Sequence, residues 1–156
     1  MYICYGTKLV PNCKGVMPML EKALVLIKPD SYERGLHSEI FQRIEESNLK
    51  IVARKILMLT EEMIRAYQPV LNEPSEFGEG WKNEVILALT RLPVEILIVE
   101  GDDAILKISL LKRQMRAEYC YGCDYQSRVI FNLIHSADNI SELENNINIL
   151  FPEIAS

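Results

Sequence analysis

His135, in the run Phe131 to Asp138 (FNLIHSAD), carries the side chain best suited to chemistry at neutral pH. A neutral imidazole is nucleophilic there and can take a phosphoryl group as phosphohistidine, dividing one transfer into two ping-pong half-reactions. A lone histidine at a strand end is more often a satisfied surface or core residue, so its reading depends on what surrounds it. Phosphoryl transfer also asks for cations and donors that position the phosphates and absorb charge on the transferring oxygens, usually with Mg²⁺ bridging phosphate groups. Lys28, just before Pro29, and the cluster Lys107, Lys112, Arg113 and Arg116 supply cations, although a solvated strand terminus and a solvated helix face would look the same.

The commoner signatures are absent: no Gly-x-x-x-x-Gly-Lys-Ser/Thr loop, no Gly-x-Gly-x-x-Gly fingerprint and no zinc-protease helix. Cys120 and Cys123 form a Cys-x-x-Cys word, but only Cys4 and Cys13 could add two thiolates, at irregular spacing, so zinc is not expected. A redox dithiol normally opens a helix in a different fold, and four unevenly placed cysteines do not make the disulfide framework of a small secreted domain. Free thiols are the expectation.

The elements that must position these residues follow from periodicity. Ala23 to Ile27 (ALVLI), closed by Lys28-Pro29-Asp30, predicts a buried strand ending at a turn. Ile40, Phe41, Ile44 and Leu49 predict an amphipathic helix over 35–47. Ile51 to Leu59 reads as a second strand, with Thr60, Glu61 and Glu62 as N-cap and acidic first turn of a helix bounded by Pro69 and Pro74. A mixed run from Glu79 to Leu89 predicts another helix, and Val94 to Val99 is the clearest strand. A helix follows Gly101-Asp102-Asp103, the last strand is expected over Val129 to Ile134, and a helix with Leu143, Ile147 and Leu150 ends the chain. That order suits an α+β sandwich on an antiparallel sheet of the split βαβ type. Residues 1–20 show no period and read as an N-terminal extension, with 21–156 as the domain.

Composition bounds the answer. A chain of 156 residues, 49% hydrophobic and 25% charged, suits one globular domain with a core. A net charge of −5 repels polyanions, so no nucleic-acid partner is expected, while a local basic patch could still hold a small anion. With no apolar run near the roughly 20 residues of a membrane span and no secretory leader pattern, a soluble cytoplasmic protein without a membrane partner is expected.

Two separated words, Ala23 to Arg34 (ALVLIKPDSYER) and Phe131 to Asp138 (FNLIHSAD), resemble the lysine-proline-aspartate and asparagine-x-x-histidine segments of nucleoside diphosphate kinases. The resemblance runs from Lys22 to Pro152 and includes Leu92-Pro93-Val94, Glu100-Gly101 and Leu150 to Glu153. It implies a ferredoxin-like split βαβ sandwich, with a four-stranded antiparallel sheet covered by helices. It also implies ping-pong transfer from ATP, with Mg²⁺, to nucleoside diphosphates through phosphohistidine at His135. No protein metal ligand is assigned. Lys28 and Arg116 match phosphate-contacting positions, Asn132 the sugar contact, Val129 an apolar base contact and Tyr67 the tyrosine beside the histidine. Phe77 most nearly matches the aromatic that stacks on the base, with Trp81 as alternative. Stacking on a π-face common to all bases implies low base selectivity.

The family pattern also breaks. Its arginine falls at Ser109, its threonine at Met115, its serine at Ala137 and its histidine-orienting glutamate at Asn146; Lys112 or Arg113 are the candidates to replace the arginine. Losing one preorganised donor costs roughly 10²–10³ in rate, so a second reading is a degenerate nucleotide-binding or interaction module. A long loop that normally precedes the Arg116 position and packs subunits together is largely missing. The resemblance therefore implies a homo-oligomer, a dimer rather than a hexamer.

Overall fold

The computed structural model describes residues 20–120, 122 and 125–155, without the side chains of 125–127. Residues 1–19 of the expected extension, and with them Cys4 and Cys13, lie outside the described residues, as does Cys123.

The apolar word that opens the domain becomes strand β1, Glu21–Ile27, in which Leu24 to Ile27 are wholly buried. It is buried on both faces because it sits inside the sheet, flanked by β3 (Val94–Gly101) and β4 (Ile134–Ser136). Strand β2, Lys50–Leu57, pairs with the far side of β3, giving the order β2-β3-β1-β4 with every neighbour antiparallel. β1 and β2 run the same way with β3 between them, which is the split βαβ arrangement. The α+β sandwich and four-stranded antiparallel sheet match the expectation.

Seven α-helices lie among the described residues: α1 (Pro29–Glu33), α2 (His37–Glu46), α3 (Glu61–Tyr67), α4 (Gly78–Thr90), α5 (Ala104–Tyr119), α6 (Tyr125–Ile130) and α7 (Ile140–Leu150). Thr60 Oγ1 accepts the Met63 N–H at 3.2 Å and Asn139 Oδ1 accepts the Glu142 N–H at 2.9 Å, capping α3 and α7 as their sequences suggest. α5 packs along β1 and β4, and α3 packs on α7.

Two element boundaries differ from the periodicity reading. The helix expected over 35–47 starts at His37, because Gly35 at φ 68° ends the short α1 before α2 can begin. The strand expected over Val129 to Ile134 is instead the end of α6 followed by β4 at Ile134–Ser136. A short apolar run fits helix or strand equally well. Here Leu133 decides it, since its φ of 70° cannot continue a strand. That conformation is strained for leucine and is held from both sides. The Asp30 carboxylate accepts the Leu133 N–H at 3.0 Å, and the Leu133 carbonyl accepts from Lys28 N and Ser31 Oγ.

Candidate active site

The first turn of α1 fixes Leu133, and through it the two residues that frame the strained turn, Asn132 and His135. Lys28, buried at the end of β1, donates from Nζ to Asn132 Oδ1 at 2.6 Å. The Asn132 amide in turn donates to the Val129 carbonyl at 2.9 Å, tying α6 to the same corner. Arg116 comes from α5 and donates to the carbonyls of Asn132, at 3.2 Å, and Ile134, at 2.5 Å. The His135 ring is half-buried, with the Tyr67 ring 5.0 Å away at 57° and Asn146 Nδ2 3.4 Å from its Nε2. No described residue hydrogen-bonds Nδ1.

These groups line one cavity of about 570 Å³, within the range of small-molecule sites. Lys28, Tyr67, Arg116, Val129, Asn132 and His135 all reach its wall. Phe77 does not: it is 42% exposed, with its ring 5.9 Å from Trp81, and Trp81 lines the cavity. A larger groove of about 830 Å³ runs between α2 and α5, but one of its two cations, Arg43, is paired with Glu39 and Glu118, and the groove shares no lining residue with the cavity at His135. Size alone therefore does not mark the site; the convergence of cations on an imidazole does.

The electrostatics follow from burial and from those cations. Burial, reinforced by the positive charges of Lys28, Lys112 and Arg116 and opposed only by Asp138, pulls the His135 imidazole down to about 3. The ring is neutral throughout the physiological range. Burial likewise lowers Lys28 to about 8, with Asp30 opposing and Arg116 adding to the shift. Burial lowers Arg116 from its ordinary value, and burial pushes the Tyr67 phenol up, so it stays protonated. A neutral nucleophile beside two cations in the cavity wall suits an incoming polyphosphate. Among the described residues no group of three His, Cys, Asp or Glu could hold a metal ion, and the cavity's donors suit phosphate oxygens.

The family model described as nucleoside diphosphate kinase matches residues 21–155 of this chain. The chain belongs to the nucleoside diphosphate kinase family. It is 33% identical over 139 residues to a nucleoside diphosphate kinase of Clostridium perfringens, covering 86% of this chain and 94% of that one. Among solved structures it resembles the Aquifex aeolicus nucleoside diphosphate kinase, with a TM-score of 0.68 and 23% identity over 85% of this chain and 95% of that one. It also resembles a transition-state mimic of the Borrelia burgdorferi enzyme with bound vanadate and ADP, at a TM-score of 0.65 and 25% identity over 85% and 87% of the two chains.

Against the nucleoside diphosphate kinase pattern, the departures now have places. α5 runs unbroken through 16 residues to Tyr119, so Ser109 and Arg116 share one helix and no loop separates them. Ser109 is buried and donates to Asp138 Oδ1 at 2.7 Å, and Met115 and Ala137 are core residues. Of the two candidates for the missing arginine, Lys112 is buried near His135, while Arg113 is exposed along a separate groove with Asp138. Sequence gave no hint of Lys112's burial, because a lysine in a basic cluster reads as a solvated face. The cavity wall also takes Gln68, Val70 and Asn145, which no motif marks.

Proposed function

We propose that this chain transfers the γ-phosphoryl group of ATP to nucleoside diphosphates, with His135 as the covalent carrier. The observation that carries the proposal is the neutral His135 imidazole at the cavity wall beside Lys28 and Arg116. Family membership supports the same activity.

In the first half-reaction a ring nitrogen of His135 attacks the γ-phosphorus, the N–P bond forms, the bond to the β,γ-bridging oxygen breaks and ADP leaves with that electron pair. The second half-reaction runs the same exchange backwards, with a terminal oxygen of the acceptor diphosphate attacking phosphohistidine. Lys28 and Arg116 hold phosphate oxygens, and their fixed charges stabilise the negative charge that builds as the bridge opens. Mg²⁺ bound with the ATP phosphates would screen their charge, leaving Lys28 and Arg116 to meet the remaining phosphate oxygens. Asn132, fixed by Lys28, faces the sugar; Val129 and Trp81 offer apolar surface to the base, with Phe77 outside the wall. Tyr67 packs on the ring and limits its rotation.

The wider reading goes with this one: nucleoside di- and triphosphates as ligands, a cytoplasmic setting, residues 1–20 as an extension of a 21–156 domain, and a homodimer. No helix among the described residues is long and apolar enough to cross a membrane. The test is steady-state kinetics with ATP and varied diphosphates. Parallel double-reciprocal lines are expected, since each substrate meets a different form of His135. Lines that converge, as for direct transfer in a ternary complex, would refute the covalent route.

A further inference from the structure

Among the described residues β4 is the outer strand of the sheet, so half of its backbone groups face away from β1. Leu133 turns its carbonyl inward to the Lys28 N–H, and the alternation of β4 turns the carbonyls of Ile134 and Ser136 outward, while the turn at Leu133 leaves the Asn132 carbonyl, which accepts the Ile134 N–H at 2.8 Å, also within reach of α5. Two basic side chains of α5, one turn apart, take all three. Arg116 donates to Asn132 and Ile134, and Lys112 Nζ donates to the Ser136 carbonyl at 3.2 Å. Lys112 is only 6% exposed, and its ammonium also reaches Asp138 Oδ1 at 2.8 Å, the same oxygen that accepts from Ser109. An ammonium is taken out of water only where hydrogen bonds replace its hydration, so these two oxygens hold Lys112 in one place.

We infer that Lys112 is a positioning residue for His135: anchored between the Ser136 carbonyl and Asp138, it braces the edge strand that presents the imidazole to the cavity. The inference rests on the phosphoryl-transfer reading of the site. Lys112 is absent from the cavity wall, so it acts through the strand and through its charge and not by touching nucleotide. The charged groups that face His135 are Lys28 from β1, Lys112 and Arg116 from α5, and Asp138 beyond β4. Tyr67 and Asn146, from α3 and α7, meet the ring as neutral groups. The brace fits the chain's own departures: Ser109, standing at the position of the family's arginine, anchors Asp138 and so holds Lys112.

The test compares Lys112→Met, which keeps the aliphatic stem, with Lys112→Arg, which keeps the charge. Rapid-quench measurement of the first half-reaction is expected to show K112M slower by roughly 10- to 100-fold, the scale of a misplaced reactive group. The nucleotide KM stays within about twofold, because no contact to nucleotide is lost, and K112R recovers most of the rate. ¹⁵N spectra of the histidine rings read the brace without turnover. The His135 titration midpoint rises in K112M, as a nearby cation has gone, and returns in K112R. An unchanged ring spectrum and half-reaction rate in K112M would overturn the inference, as would a raised KM at unchanged rate. If the wild-type chain takes no phosphoryl group, the kinase reading fails while the ring titration still decides the role of Lys112. Should K112M lose its cooperative melt, Lys112→Gln, a neutral donor, takes its place with the same expected signs.

Discussion

Asn146 meets His135 where a carboxylate would hold the ring differently. An amide can donate from Nδ2 to an unprotonated Nε2 or, turned over, accept from Nε2–H, so it serves either tautomer. A carboxylate only accepts, which fixes the proton on Nε2 and leaves the lone pair on Nδ1. Asn146→Asp is nearly isosteric at a position 2% exposed, and it is expected to speed phosphorylation of His135 on the order of 10-fold, reversing part of the tautomer penalty known from catalytic triads. A single-turnover measurement with labelled ATP checks this, and an unchanged or slower rate would count against tautomer control. Lys28 sets a second expectation. It is a cation below about 8 and neutral above, so attraction for phosphate falls as pH rises through that value in the free protein. A kcat/KM profile should therefore decline above about 8 and show no acid limb from His135 between roughly pH 5 and 7. At this scale His135, Lys28 and Asn132 were legible because each lies in a contiguous word. Trp81 was not separable from Phe77, since the chain between Tyr67 and Pro93 is longer than the family pattern and only packing decides which ring turns inward.

Between elements, the pairing of β2 with β3 carries a charge pair in a buried setting. Glu95 on β3 is 1% exposed, one of its oxygens bonds Arg54 of β2, and the other has no partner. Arg54 lies over the Phe41 ring at 5.4 Å, while 59% of its side chain stays exposed. Burial pushes the Glu95 carboxyl up from its ordinary value, so the folded state binds that proton more tightly than the unfolded chain does. Stability from that preference is present at acid pH and is lost as pH rises through the raised value. Arg54→Ala leaves a buried carboxylate without its partner and should destabilise by about 1–3 kcal/mol at neutral pH, with the deficit shrinking as the pH falls into the ordinary glutamate range. Replacing both, as Arg54→Met with Glu95→Val, should restore the wild-type midpoint or exceed it. Urea melts at two pH values check both statements, and a double variant weaker than Arg54→Ala would contradict them. The strands β1 and β3 were plain in the sequence because their apolar runs are long. β4 was displaced in the reading because three residues carry no period and the feature that ends α6, a leucine with positive φ held by Asp30 and Ser31, is a tertiary contact.

On the scale of the whole molecule, β2 leaves one side of the sheet unpaired among the described residues and sets Val52 at 41% and Ile56 at 65% exposure on that edge strand. Apolar side chains on an open edge favour pairing with another strand, which supports the proposed homodimer. The unbroken α5 supports the smaller assembly, since no long loop interrupts it to pack further subunits. Sedimentation equilibrium should give twice the chain mass, and a monomer at micromolar concentration would contradict the dimer. The fold was legible as a whole because several modest signals agree in order along the chain. Assembly and the brace at Lys112 were not, because both depend on surfaces that meet only after folding.

His135 carries the phosphoryl group in the proposed reaction, and the direct measurement is covalent labelling. Protein incubated with γ-labelled ATP and Mg²⁺ should acquire one acid-labile, alkali-stable label per chain, released on adding a nucleoside diphosphate and absent in His135→Ala. A chain that stays unlabelled while ATP quenches its single tryptophan, Trp81 at the cavity wall, would contradict the account.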